Sequence, residues 1–172
     1  MPWRNGGGLT RELHVAGSDP FDWRLSAATI SGDGPFSSFP GIDRILVLLQ
    51  GDGVQLRFGD DRTSTVLDRP GAACAFAGER PVDAALLGGP TVDLNLMWRR
   101  ERYSAVLHDG PGSAADVTVV HIAAGSASAH ESSGQGQVRL GRGDSAWWER
   151  DDVVGIAAAG RSTVIRFELT AR

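Results

Sequence analysis

No lysine occurs in this chain of 172 residues; all 17 of its basic side chains are arginine. Schiff-base chemistry and lysine general-base chemistry are therefore closed to it. Cysteine is almost as scarce. Cys74 is alone, which rules out a disulfide within the chain and fits a reducing compartment, so a cytoplasmic location is expected. With Ala73, Ala75 and Phe76 around it, Cys74 reads as an inert buried thiol rather than a nucleophile. The longest apolar run, Ile45-Leu46-Val47-Leu48-Leu49, suits a buried strand and is too short to span a bilayer. The opening Met1-Pro2-Trp3 does not begin a signal-peptide pattern, and no membrane association is expected. The net charge of −4 is dispersed, with no basic stripe to follow a phosphate backbone, so nucleic acid is not an expected partner. Neither a P-loop nor a dinucleotide fingerprint occurs, and no cofactor is expected. Gly6-Gly7-Gly8 has no Gly-x-Ser-x-Gly to accompany it as an esterase would.

What is present is strand after short strand. Residues 22–30 alternate, with Trp23, Leu25 and Ala27 on one face and Arg24 and Ser26 on the other. Residues 43–50 form a strong strand that Gly51-Asp52-Gly53 turns into a hairpin with 54–58. Strands are expected again at 63–67, 71–76, 82–87 and 91–99. The segment 31–41, broken by Gly34, Pro35, Pro40 and Gly41, reads as a loop. Residues 108–115 have linker composition. Beyond them strands are expected at 117–122, 137–140, 145–149, 153–157 and 163–169, with a polar turn between the last two. Leu67-Asp68-Arg69-Pro70-Gly71 and Leu140-Gly141-Arg142-Gly143-Asp144 each introduce a similar succession of strands. This weak repeat suggests two related lobes, 1–108 and 116–172, in an all-β chain of barrel or sandwich type.

Several residues could carry chemistry. The run Asn5-Gly6-Gly7-Gly8 with Thr10 is either a tight turn or an anion-binding nest of backbone amides. Arg44 opens a strand that is otherwise apolar. It could clamp a carboxylate with two parallel N–H groups, or it could form an ion pair with Asp43, Asp22 or Asp93 that fixes the fold. Arg24 with Ser26 repeats that argument more weakly. Asn95 shares the polar face of its strand with Asp93, and a buried amide there must find partners. Trp3, Phe39 and Trp98 could wall a pocket.

Pro2-Trp3-Arg4-Asn5-Gly6-Gly7-Gly8, Phe21-Asp22-Trp23-Arg24-Leu25-Ser26, Gly34-Pro35-Phe36-Ser37 and Phe39-Pro40-Gly41-Ile42-Asp43-Arg44 resemble motifs of the HutD/Ves family, in order. Leu48-Leu49-Gln50-Gly51, Phe76-Ala77-Gly78, Leu86-Leu87-Gly88-Gly89-Pro90 and Asp93-Leu94-Asn95-Leu96-Met97 continue the match, which is dense over residues 1–107. The resemblance implies a bicupin, two small jelly-roll-like antiparallel barrels packed together. It also implies a binding role in histidine utilisation, with a small anionic metabolite such as N-formyl-L-glutamate as ligand and no catalytic residues. Family members usually carry one more strand before the Trp-x-Asn-Gly-Gly-Gly motif, so the natural start is expected upstream of Met1.

On that reading Arg44 takes a carboxylate, Asn5, Gly6, Gly7, Gly8 and Thr10 line the pocket, and Arg24 or Asn95 completes the polar contacts. Cupin metal sites use two histidines and a glutamate on one strand, whereas the only histidine before the linker here is His14. His108, His121 and His130 lack ligand spacing, His130-Glu131 reads as a solvated pair, and no metal is expected. Two alternatives stay open. One is an enzyme acting on a formylated or imidazole-derived amino acid, with Asp93 or Glu79 as general base. The other is a protein-interaction module using the edge of the first strand. A homodimer is compatible with the metabolite-binding reading as with these.

Overall fold

The computed structural model describes residues 1–3, 6–108, 115–131, 136–150 and 153–172, with the side chains of Glu131, Val153 and Val154 set aside. Every element among the described residues is a strand, and every ladder is antiparallel. No helix is long and apolar enough to cross a membrane. The chain divides into two compact units, Met1–Arg102 and Tyr103–Arg172.

In the first unit, β1 (Gly8–Ala16), β2 (Trp23–Ile30), β4 (Ile42–Gln50), β7 (Ala73–Ala77) and β9 (Thr91–Arg99) form a sheet in the order β1-β2-β9-β4-β7. The short β3 (Gly34–Pro35) lies in the segment read as a loop. With β5 (Val54–Phe58), β6 (Ser64–Leu67) and β8 (Val82–Leu86) it forms a second sheet, ordered β3-β8-β5-β6. Leu46 and Leu48 of β4 and Phe76 of β7 meet Val54, Leu56, Phe58, Leu67, Val82 and Ala84 in one core. Burying these side chains contributes roughly 1.5–3 kcal/mol each. The strand β4 is buried on both faces from Arg44 to Leu49, which is why its sequence is a continuous apolar run rather than an alternation.

The first strand was not legible as one. Residues 1–3 fold back on the start of β1: Trp3 N–H donates to Gly8 O at 2.9 Å, Thr10 N–H donates to Met1 O at 2.9 Å, and Pro2 bridges Leu9. A bulge between Glu12 and His14 then changes the register. Before it, Thr10 pairs with Ala28 and Glu12 with Ser26. After it, His14 pairs with Leu25 and its ring stacks on Trp23, with centroids 4.7 Å apart. The extra residue thus sends His14 to the opposite face from Glu12.

In the second unit, β10 (Tyr103–His108), β11 (Val117–Glu131), β12 (Gln137–Gly141), β13 (Ser145–Glu149) and β14 (Val153–Ala171) make one sheet. β10 pairs with β14, so residues 103–108 belong to this unit and the boundary lies at 102/103 rather than in the linker. β11 and β14 are longer than expected. Gly160–Ser162 bulge out of a continuous β14, and Ser126 N–H donates to Ser162 Oγ at 2.9 Å, where a turn between two strands was expected. β13 and β12 occupy successive halves of the other edge of β11. Val120, Ile122, Ala127 and Leu140 form the core, with Ala146, Trp148, Ile156 and Val164 against it. Glu168 is buried and is bonded by Arg166 and by His108 Nε2, each at 2.9 Å.

Candidate functional site

Four strands of the first sheet present side chains from one face to a cavity of about 460 Å³. Its size suits a small molecule. Arg24, Ser26, Ala28 and Ile30 come from β2, Asn95 from β9, and Arg44 and Leu46 from β4. The register sets them in rows: Arg24 opposite Met97 opposite Arg44, then Ser26 opposite Asn95 opposite Leu46. Thr10 comes from β1, where it pairs with Ala28, and Trp3, Phe36 and Phe39 complete the lining.

Arg44 is 6 % exposed. Its guanidinium carbon lies 4.9, 5.1 and 5.8 Å from the rings of Phe76, Phe36 and Phe39. Its one side-chain hydrogen bond among the described residues, from Nε to Asn95 Oδ1, is long at 3.4 Å. The carboxylates that could have neutralised it are committed elsewhere. Asp43 accepts from Arg100 at 2.8 Å, Asp22 from Arg102 at 2.6 Å, and Asp93 from the Thr91 hydroxyl at 2.6 Å. Among the described residues no carboxylate lies within salt-bridge distance of Arg44. Burial, and secondarily the charge of Arg24, lowers its pKa to about 10, so it remains cationic at neutral pH.

Arg24 is half-way to the same condition. Nη2 donates to Met97 Sδ at 2.9 Å, Nε has no acceptor among the described residues, and Nη1 stands 3.9 Å from Glu12 Oε2. Burial lowers its pKa and Glu12 partly opposes that. The buried Ser26 Oγ also has no partner among the described residues. The cavity therefore combines two cations and an unsatisfied hydroxyl with aromatic and aliphatic walls. Such a lining selects an anion with an apolar body.

Of the expected site residues, Arg44, Arg24, Asn95 and Thr10 come together at this cavity, while Asn5 lies outside the described residues. Gly6, Gly7 and Gly8 are not among the residues that line it. The Gly6 amide donates to Trp3 O at 3.0 Å, within the turn of the terminal hairpin. Gly6 adopts φ 72°, which favours glycine. Gly8 is required for space: a Cβ there would stand 2.6 Å from Thr29 O and 2.9 Å from the Trp3 ring. That ring packs edge-on to Phe36 at 5.8 Å, and its Nε1 donates to Thr10 Oγ1 at 2.8 Å. Gly8→Ala is accordingly expected to displace Trp3 and to cost about 1–3 kcal/mol in chemical denaturation. An unchanged midpoint would contradict this seat for the ring.

Trp98 does not wall the cavity. It alternates with Asn95 and Met97 on β9 and lies buried on the opposite face. Phe36 and Met97, which the sequence did not single out, hold the two arginines. Asp93 is fully buried and does not line the cavity, and Glu79 is bonded to Arg100 at 2.8 and 2.9 Å; neither faces the space a substrate would fill. Among the described residues no group of three or more His, Cys, Asp or Glu could hold a metal ion.

Comparison with known proteins agrees with this picture of the fold. A cupin 2 conserved barrel domain protein from Leptotrichia buccalis has the same general architecture, with a TM-score of 0.60 over 96 % of this chain and 89 % of its own, at 7 % identity. HutD from Pseudomonas fluorescens SBW25, in a formate condition, superposes with a TM-score of 0.83 at 35 % identity, covering 100 % of this chain and 93 % of that one. An uncharacterised 21.2 kDa protein of the hutC 3′ region of Pseudomonas putida is 39 % identical over 96 % of this chain and 90 % of its own length. Protein Ves of Citrobacter koseri is 42 % identical, over 60 % of this chain and 54 % of its own. With the family's pattern matched over residues 1–165, the all-β, cupin-like chain whose two arginines face this cavity belongs to the HutD family.

Proposed function

We propose that this protein is a cytoplasmic receptor for a small carboxylate, with N-formyl-L-glutamate as the leading candidate, and that its occupancy modulates histidine utilisation. The observation that carries the reading is Arg44, a buried guanidinium lining a cavity, with each nearby aspartate bonded to another group. A ligand carboxylate would supply two oxygen acceptors that the guanidinium lacks among the described residues, each charged bond contributing about 1.5–3 kcal/mol. Asn95 and the Ser26 hydroxyl stand in the next row and suit an amide or formyl group. The link to histidine utilisation rests on family membership and on the hutC-region relative. In the fuller form of this reading the two units are related cupin lobes, a bicupin, with the ligand held in the first.

Calorimetric titration with N-formyl-L-glutamate, formate, urocanate and glutamate tests it. Saturable binding of one of them at micromolar to millimolar concentration is expected. Failure of all four to bind or to raise the melting temperature at millimolar concentration would remove the receptor reading.

A further inference from the structure

The cavity's second arginine already has a rival for its ligand inside the chain. Glu12 is the last residue of β1 before the bulge and lies across from Ser26, on the side of the sheet that carries Arg24. Its Oε2 is 3.9 Å from Arg24 Nη1, close enough to attract and too far to be a hydrogen bond. Its side chain is 41 % exposed against 15 % for Arg24, so it can leave for solvent at little cost. Among the described residues Arg24 meanwhile has a thioether as its one hydrogen-bond acceptor and an Nε with no partner. A thioether is a weak acceptor, so the guanidinium keeps most of its capacity for oxygen. Arg24 and Arg44 flank Met97 on either side, and both guanidiniums approach the ring of Phe39, at 5.6 and 5.8 Å. Two cations thus approach one aromatic ring, and only Arg24 has a carboxylate beside it, loosely held.

We propose that Glu12 is a placeholder on Arg24 that sets the charge preference of the cavity: a monocarboxylate on Arg44 leaves it undisturbed, whereas the second carboxylate of a dicarboxylate must displace it. This rests on the carboxylate reading of the cavity. Glu12 is a specificity residue here, acting by competition for Arg24 and touching no ligand itself.

The test is a double-mutant cycle read with two simple probes, acetate and glutarate, titrated at one ionic strength and neutral pH. Glu12→Gln is expected to strengthen glutarate binding about fivefold to tenfold and acetate binding less than twofold. In the Arg24→Gln background the same change is expected to leave the glutarate-to-acetate ratio unaltered. The placeholder role is overturned if Glu12→Gln leaves glutarate binding unchanged or weaker. It is equally overturned if both probes gain alike, or if the gain survives loss of Arg24, since either result would mean a general change of potential. If neither probe binds the wild-type protein, and Arg44→Met changes nothing, the carboxylate reading falls as well. Binding that depends on Arg44 but not on Glu12 would leave that reading intact and sink only the placeholder.

Discussion

Replacing Arg44 with methionine is expected to abolish carboxylate binding and to make the unliganded protein more stable. Both signs come from one feature. Arg44 is 6 % exposed, with a single long hydrogen bond and no carboxylate partner among the described residues. Keeping such a charge out of water is costly, and replacing buried charged groups by apolar ones of similar volume is often stabilising by about 1–4 kcal/mol. The lost contacts with Phe36, Phe39 and Phe76 offset part of this, so a gain of about 1–2 kcal/mol is expected. Loss of two charged hydrogen bonds to a ligand should weaken binding by about 100-fold or more. Denaturation and titration of one variant check both. A residue kept for the fold would show the reverse, a less stable protein with whatever binding it had before.

The second large effect concerns Asp93, two residues from Asn95 on the same face of β9. Burial raises its pKa to about 6, partly offset by the hydrogen bond from Thr91. Because this folded-state value lies above the ordinary aspartate pKa of 3.8, the folded protein holds more protons than the unfolded chain between the two. The contribution of this group is therefore fully present below about pH 4 and is lost as pH rises through about 6. At about 1.4 kcal/mol for each pH unit between the two values, the loss approaches roughly 3 kcal/mol by neutral pH. Asp93→Asn removes the titration, so the stability difference between variant and wild type should move in the variant's favour by about 2–3 kcal/mol between pH 4 and pH 8. Asp60, Asp61 and Glu79 have lowered pKa values through bonds to Arg80, Thr63 and Arg100 respectively, which favours folding above their unfolded pKa values. They are present in both proteins and cancel in the difference. A pH-independent difference would show that Asp93 is ionised in the fold at no cost.

The strand sequence of both units was largely legible, because short alternating or apolar runs between Gly, Pro and Asp turns leave few other structures open to the chain. β4 is the clearest case: its consecutive apolar residues from Ile45 to Leu49 demand burial on both faces, and the strand has it. The errors share a cause. Glycines at 125 and 160 and the Gly6–Gly8 run look like breaks, yet the first two sit at bulges in long strands and the third turns a hairpin. A local signal cannot tell a bulge from a turn, since both need the same backbone freedom. Alternation located the two faces of β2 correctly, with Arg24 and Ser26 together on one of them, but not how completely that face is covered: Ser26 is fully buried, and Phe36 and Phe39 line the same cavity. Those two aromatic residues come from the segment read as a loop. The ion-pair alternative for Arg44 could not be decided from residues alone either. It was decided by where three aspartates point, and each is bonded to a different partner.

A crystal structure of the protein grown with N-formyl-L-glutamate bears most directly on the central claim, that a buried guanidinium waits for an external acid. The expected result is a carboxylate with both oxygens about 3 Å from the Arg44 guanidinium, beneath Phe36 and Phe39. An Arg44 paired instead with a carboxylate of the protein itself, or turned out into solvent with the ligand absent at saturating concentration, would contradict it.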